Sequence, residues 1–384
     1  MSSTTSSDPR APARKPKLFS VAIEPTAHCN QKCDYCYNAW RDDGGQEVGA
    51  PSTEELLARV TKLLDAVELD HVTITGGEPF AQPAAFPLIE ELARRKIGIQ
   101  IISNGGLVTD KLAERLAAFP IRYVQVTLDG PDAEVHEAHV GTGRDHFRRT
   151  LAGIEALQRH RVPVVGCIVV TKKNAHRVGE TLALWRSLGV KTISFSRFSP
   201  AGYAARYAAT LLPTVAEATV ALEQALPFAQ SDMRIHCTMP MPPCAVEVEK
   251  FAPIVFGTCP IGTDMQEVAL GPGGELRNCT LHSTKLGQVR DILDPSVDVG
   301  ALLGAPERVD YPKKHPEFCT GCRHASTCGG GCGAAAEWLL GDARATPDPF
   351  LWQHIDEALA ERLRAARAEL DRSAEGKRRL EVVG

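Results

Sequence analysis

From residue 18 to residue 196, short apolar runs alternate with stretches whose apolar residues recur at helical spacing. The runs are LFSVAIE (18–24), HVTITGG (71–77), IGIQIIS (97–103), IRYVQVTL (121–128), VPVVGCIVV (162–170) and VKTISFS (190–196). Their Val, Ile and Thr content predicts strands buried on both faces, as in a parallel sheet. The first helix is announced by a capping signature, Ser52-x-x-Glu55, followed by Leu56, Leu57, Val60, Leu63, Leu64 and Val67. Further helices are predicted over 84–96, 109–118, 145–160, 175–188 and 214–228. Six βα units with right-handed crossovers build either a partial barrel or an open doubly wound sheet. In both, sites belong at the carboxyl ends of the strands.

The polar and glycine signals obey that rule. Three cysteines follow the first run, Gly76-Gly77-Glu78-Pro79 the second, Ser103-Asn104-Gly105 the third, Leu128-Asp129-Gly130 the fourth and Arg197 the sixth. The pattern changes after residue 230. From 231 to 345 Pro, Gly and Cys abound and periodicity is lost, so apolar burial alone is not expected to hold this segment. Metal centres would supply the missing constraint. Helical spacing returns over 350–380, with Trp352, Ile355, Leu359, Leu363, Ala366 and Leu370 on one face. The expected division is a disordered tail over 1–17, a core domain over 18–230, a Cys-rich domain over 231–345 and a C-terminal helix over 346–384. No internal repeat is visible.

The balance of 43 basic against 47 acidic residues, mixed along the chain, argues against a nucleic-acid surface. No apolar run approaches the ~18 residues of a membrane span. The start, MSSTTSSDPRAPARKPK, lacks the apolar core of a secretory signal, so a cytoplasmic location is expected. Thiols would then stay reduced. The chain has 12 cysteines, too sparse for a disulfide scaffold. Clustered cysteines in a reducing compartment point to metal or iron–sulfur ligation. Cys167 stands apart within VPVVGCIVV and reads as a buried core thiol.

Residues 29–40 read CNQKCDYCYNAW, a C-x3-C-x2-C spacing without a fourth cysteine nearby. A structural zinc site uses four ligands, and His28 and Asp34 are the candidates at hand. Three thiolates also suit a four-iron cluster with one iron left uncapped for a small molecule.

The spacing, with Tyr35 before the last cysteine and with Gly76-Gly77-Glu78-Pro79 after the second strand, resembles the radical S-adenosylmethionine superfamily. The resemblance covers residues 18 to about 200. It implies a partial (β/α)6 TIM-like barrel in which Cys29, Cys33 and Cys36 hold a 4Fe–4S cluster. The open iron takes the amino and carboxylate groups of S-adenosylmethionine, whose reductive cleavage gives a 5′-deoxyadenosyl radical that abstracts hydrogen. In this family Gly76 and Gly77 would let backbone approach the methionine amino group. Glu78, beside Pro79, would accept from that ammonium. Ser103 and Asn104 would touch ribose or carboxylate oxygens. Thr127 and Asp129 would reach the ribose or the substrate, with ordinary turn chemistry as the alternative. Arg197 would pair with a carboxylate, or lie at the surface. His136 and His139 read as exposed loop histidines.

The run Cys319-x2-Cys322-x5-Cys328-x3-Cys332, with Cys259 and Cys279 upstream, resembles the SPASM domain. The resemblance implies one or two auxiliary 4Fe–4S clusters. Cys259, Cys279 and Cys332 would serve the first, and Cys319, Cys322 and Cys328 the second. The family places a further cysteine after the run, and none follows Cys332 here. Cys237 or a non-cysteine ligand would replace it, and Cys244 is the expected fourth ligand of the first auxiliary cluster. Zinc at the run is the alternative.

SPASM enzymes often modify peptides. Thr280 stands where sulfatase maturases carry an Asp base, which disfavours that substrate. The first strand begins near residue 18, so either leader recognition needs a separate leader-peptide-binding protein or the substrate is not a leader-bearing peptide. The expected function is oxidative maturation of a ribosomal peptide, with a flavodoxin or ferredoxin as external one-electron donor. The alternatives are a radical oxidoreductase or epimerase acting on a small molecule such as a sugar, and a non-catalytic Fe–S or zinc binding protein.

Overall fold

The computed structural model describes residues 15–38, 50–141, 145–289, 291–311, 315–341 and 346–352. The tail expected over 1–17 lies outside them up to residue 14, and the C-terminal helix from residue 353 onward.

Ten strands form one sheet in the order β10-β9-β1-β2-β3-β4-β5-β6-β7-β8. They are β1 (Lys17–Ile23), β2 (Glu68–Ile74), β3 (Gly98–Ser103), β4 (Ile121–Thr127), β5 (Val164–Val170), β6 (Thr192–Arg197), β7 (Arg234–Cys237), β8 (Val255–Phe256), β9 (Glu267–Leu270) and β10 (Leu276–Arg277). Every neighbouring pair from β9 to β8 is parallel, and only β10 runs antiparallel, against β9. The six strands expected from the apolar runs are β1–β6, each displaced by no more than a few residues. This is a partial TIM-like barrel.

The helices are α1 (Thr53–Ala66), α2 (Ala85–Arg94), α3 (Asp110–Ala117), α4 (Ala133–Val140), α5 (His146–Arg159), α6 (Val178–Ser187), α7 (Ala208–Leu211), α8 (Val215–Ser231), α9 (Val299–Leu303), α10 (Pro306–Val309), α11 (Ala325–Cys328) and α12 (Gly333–Leu340). Helix α1 starts as its sequence directs. Ser52 Oγ accepts from Glu55 N–H and Glu55 Oε2 accepts from Ser52 N–H. The helix then buries Leu56, Val60, Leu63 and Leu64 against the sheet, each worth about 1.5–3 kcal/mol. None of the helices among the described residues is long and apolar enough to cross a membrane.

The boundary expected at residue 230 falls inside the sheet. Strands β7 and β8 extend it beyond β6, and β9 and β10 extend it beyond β1. At two to four residues each, they are too short to leave a periodic signature. The Cys-rich segment is held to the barrel by ion pairs. Arg197 at the end of β6 meets Asp348 at 2.5 Å, both fully buried. Arg277 of β10 meets Glu24 just past β1, again buried. Arg59 of α1 meets Asp291 at 2.8 Å. The lost hydration of such charges is offset only where further hydrogen bonds complete the site. Arg277 supplies them by donating to the carbonyls of Thr280 and His282.

Candidate functional site

Past β1 the chain enters the cysteine loop, which its neighbours fix at several points. Gly77 N–H donates to Thr26 O and Glu78 N–H to His28 O, both at 2.8 Å. Lys32 N–H and Asp34 N–H donate to the carbonyls of Val140 and His139 at the end of α4. Cys36 O accepts from Ala204 N–H at 2.9 Å. The close approaches explain two glycines. A Cβ on Gly77 would lie 2.0 Å from His28 O, and one on Gly76, whose φ is +101°, 2.9 Å from Thr26 O. The cysteine loop's own backbone packs closely against this glycine pair.

Cys29 is exposed, and Cys33 and Cys36 are partly exposed. Burial pushes the Cys33 thiol well up, and the facing thiols of Cys36 and Cys29 push it further. A cationic iron–sulfur core would reverse that penalty by stabilising the thiolates that ligate it. Among the described residues, no three His, Cys, Asp or Glu side chains are arranged to hold a single metal ion.

Glu78 is buried, and burial pushes its carboxyl up to about 7 against the pull of three donors. They are Asn104 N–H at 2.9 Å, Ser103 Oγ–H at 2.8 Å and Phe80 N–H at 3.2 Å. It therefore ties the β2 loop to the β3 loop. Ser103 Oγ also accepts from Gly105 N–H, which completes an internal turn. Pro79, itself buried, opens a 3-10 turn. The Asn104 side chain reaches the cysteine loop. Its Nδ2 donates to Asn30 Oδ1 at 2.7 Å and lies 3.8 Å from Cys29 Sγ.

At the carboxyl ends of β3–β7 the barrel encloses a cavity of about 300 Å³. Its lining includes Tyr35 and Tyr37 of the cysteine loop, Thr280 and Leu281, and Thr127 and Arg197. Arg197 spends its guanidinium on Asp348, Phe198 O and Pro240 O, so the carboxylate it was expected to meet belongs to the protein. Asp129 is fully buried behind this wall. Its Oδ1 accepts from Val169 N–H at 2.8 Å, and burial raises its carboxyl. Burial also raises the Tyr35 hydroxyl well up, with Asp129 and Cys33 as the next causes. Cys167 is buried as expected but also lines the cavity, its thiol pushed up to about 12 by burial and then by Asp129.

His136 and His139 are not exposed loop residues. Both are buried on α4, whose short, weakly patterned sequence hides it from a periodicity reading. His136 Nδ1 accepts from Asp129 N–H at 3.2 Å, and burial holds its pKa down at about 3. His139 Nε2 lies 2.8 Å from Thr171 Oγ1. The Asp129 turn is braced by His136 and by Asn174, whose Nδ2 donates to Asp129 O at 2.8 Å.

The later cysteines form two groups. Cys279 is raised by burial, then by the facing thiols of Cys332 and Cys259. These are the three thiols expected together. The second group lines a separate cavity of about 220 Å³ and contains Cys319, Cys322 and Cys328. Cys244 lies on that same wall, not with Cys259, Cys279 and Cys332 as expected. The turn that presents it is set by Pro240, Pro242 and Pro243, with Ala245 and Val246 N–H donating to Pro242 O. Cys237 sits in β7, 2% exposed within the apolar core.

Several supporting residues carried no sequence signal. Asp348 Oδ2 accepts from Cys332 N–H at 2.9 Å as well as from Arg197. Glu337 of α12 accepts from His282 Nδ1, Ser283 Oγ and Thr284, which ties the loop after Cys279 to the helix after Cys332. Burial raises Glu337, but the His282 hydrogen bond and charge outweigh it and hold the carboxyl at about 2. Such partners are isolated in sequence, and only the fold pairs them.

The family model of the radical SAM superfamily matches residues 23–184. The chain is similar to the mycofactocin maturase MftC of Mycobacterium tuberculosis, at 27% identity over 91% of this chain and 87% of that one. It is similar to the PqqA peptide cyclase of Rhodopseudomonas palustris, at 25% identity over 86% of each. In fold it matches Streptococcus suis SuiB bound to its precursor peptide SuiA, with a TM-score of 0.67 and 16% identity over 87% of this chain and 75% of that one. Residues 23–184, which hold the cysteine loop and the second-strand glycine pair at the mouth of the partial barrel, thus match the radical SAM superfamily, and similarity to the mycofactocin maturase runs along most of the chain.

Proposed function

We propose that the chain is a radical S-adenosylmethionine enzyme that matures a peptide. When bound, a 4Fe–4S cluster and S-adenosylmethionine supply a 5′-deoxyadenosyl radical that removes hydrogen from the substrate. Cys29, Cys33 and Cys36 would hold that cluster. Cys259, Cys279 and Cys332 would hold one auxiliary cluster, and Cys319, Cys322 and Cys328 another. A low-potential donor of the flavodoxin or ferredoxin type would deliver the electron.

The observation that carries this reading is the cavity wall. Tyr35 and Tyr37 come from the first thiol loop, and Thr280 and Leu281 directly follow Cys279 of the second group. A substrate there would border loops of both centres. Oxidation by hydrogen removal followed by electron loss needs that arrangement. The hydroxyls of Thr127, Ser194, Ser196, Thr238 and Thr280 on the wall suit an uncharged side chain or backbone amide. Thr127 and Tyr35 are placed to touch cofactor or substrate. Gly76, Gly77, Glu78, Pro79 and Ser103 act at one remove, by fixing the loops, and Asn104 and Asp129 by holding Asn30 and Tyr35. The mycofactocin maturase and PqqA peptide cyclase relatives, and SuiB seen with a precursor peptide, favour a peptide over a sugar.

The test is anaerobic incubation of reduced, iron-reconstituted protein with S-adenosylmethionine and short peptides encoded beside its gene. The expected result is peptide-dependent 5′-deoxyadenosine and loss of one hydrogen pair for each bond formed. Turnover driven by a sugar with every peptide unchanged would overturn the peptide reading.

A further inference from the structure

The run from Cys319 to Cys332 divides its thiols. Cys332 faces Cys259 and Cys279, so three remain for the other centre. The fourth position there has three rivals on the page.

Cys237 is excluded by place. It lies in β7, paired in register with Phe195 and Phe256, and the charged group beside it is Arg197 rather than another thiol. His324 lines the cavity, but Arg323 Nε donates to its Nε2 at 2.9 Å. Cys244 lines the cavity as well, and Cys322 and Cys328 are its thiol neighbours. Its turn is anchored to the barrel, because Pro240 O accepts from Arg197 Nη2 at 3.1 Å. The opposite wall is shaped by close-packed backbone. Gly330, with φ +85°, lies under Pro316, and a Cβ there would come within 2.8 Å of the Pro316 ring and 3.6 Å of Cys319 Sγ.

We propose that Cys244, reaching in from the loop between β7 and β8, is the fourth protein ligand of the centre held by Cys319, Cys322 and Cys328. That centre is closed by four thiols from two distant stretches of chain. The other, at Cys259, Cys279 and Cys332, has three thiols and an iron position that no cysteine caps. It is this second centre whose loop, through Thr280 and Leu281, borders the substrate cavity. The inference rests on the iron–sulfur reading above. It deepens that reading by assigning electron storage to the closed centre and substrate contact to the three-thiol one.

The test removes the first centre, with Cys29, Cys33 and Cys36 all replaced by Ala, and measures iron, sulfide and the EPR of the reduced, anaerobically reconstituted chain. This parent should bind about eight irons. An iron-free parent would refute the iron–sulfur reading itself, a different failure from the one that follows. Adding Cys244→Ala should halve the iron and remove one of two EPR signals, while Cys237→Ala and His324→Ala leave both. If Cys244→Ala removes both signals, Cys244→Ser decides: retained iron with one altered signal supports the ligand, and two unchanged signals overturn it. Parent-like iron and EPR in Cys244→Ala, or loss confined to Cys237→Ala or His324→Ala, would equally overturn it.

Discussion

The barrel and the Cys-rich segment solve the same problem in different ways. Strands β1–β6 and helices α1–α6 bury side chains such as Leu18, Leu63, Leu88, Ile168 and Trp185 almost completely. Their order follows from apolar area, which is non-directional and tolerant of substitution. The Cys-rich segment also buries apolar side chains, among them Leu276, Ile292 and Leu303, but adds contacts of another kind. Its fixed points are Arg197–Asp348, Arg277–Glu24, the His282–Glu337 pair and the facing thiols. Those contacts are directional, and each fails when one partner is removed. One half of the molecule is specified by period, the other by pairs.

The largest expected effect follows from removing metal. Anaerobic chelation should make the stretch from 259 to 341 the first site of limited proteolysis, with the β1–β6 barrel still resistant. Equal protection of both halves would erase the contrast. Next is the buried ion pair. Arg197→Met should cost about 3–5 kcal/mol by leaving Asp348 unpaired. The double variant Arg197→Met/Asp348→Leu should recover much of that loss, and denaturant unfolding of the three proteins measures it.

A smaller effect concerns pH. Glu78 has a folded-state pKa of about 7, raised by burial from 4.5. Its charge therefore opposes folding, and the penalty grows as pH rises from the unfolded value to the folded one. Across that window wild type should lose roughly 3 kcal/mol relative to Glu78→Gln. Chemical denaturation at about pH 5.5 and about pH 8 should show the gap widening, and parallel curves would mean Glu78 does not titrate there. The smallest effect belongs to the barrel surface. Ser52→Ala removes one arm of the α1 capping box and should cost about 1 kcal/mol, with iron content unchanged.

The same contrast explains what could be read in advance. The apolar runs gave β1–β6 because strands of six or seven residues repeat their pattern long enough to be seen. Cys29, Cys33 and Cys36 were legible because one loop carries them. Cys259, Cys279 and Cys332 required the family resemblance, since 73 residues separate the first from the last. Cys244 was placed in the wrong group, because spacing along the chain says nothing about where a proline-set turn points. Glu78 and Arg197 were expected to face a cofactor. In the structure each meets protein partners that no local spacing announces, Ser103 and Asn104 for Glu78 and Asp348 for Arg197. His136 and His139 went unread for the reason that their helix α4 did: eight residues with little amphipathic contrast.

The central claim is that the loop after β1 holds the centre that begins the chemistry. The most direct measurement is 5′-deoxyadenosine formed per chain when reduced, anaerobically reconstituted protein meets S-adenosylmethionine, for wild type beside Cys29→Ala. The account predicts steady product from wild type and only background from the variant, with the auxiliary EPR signals intact in both. Equal product from the two proteins would contradict it.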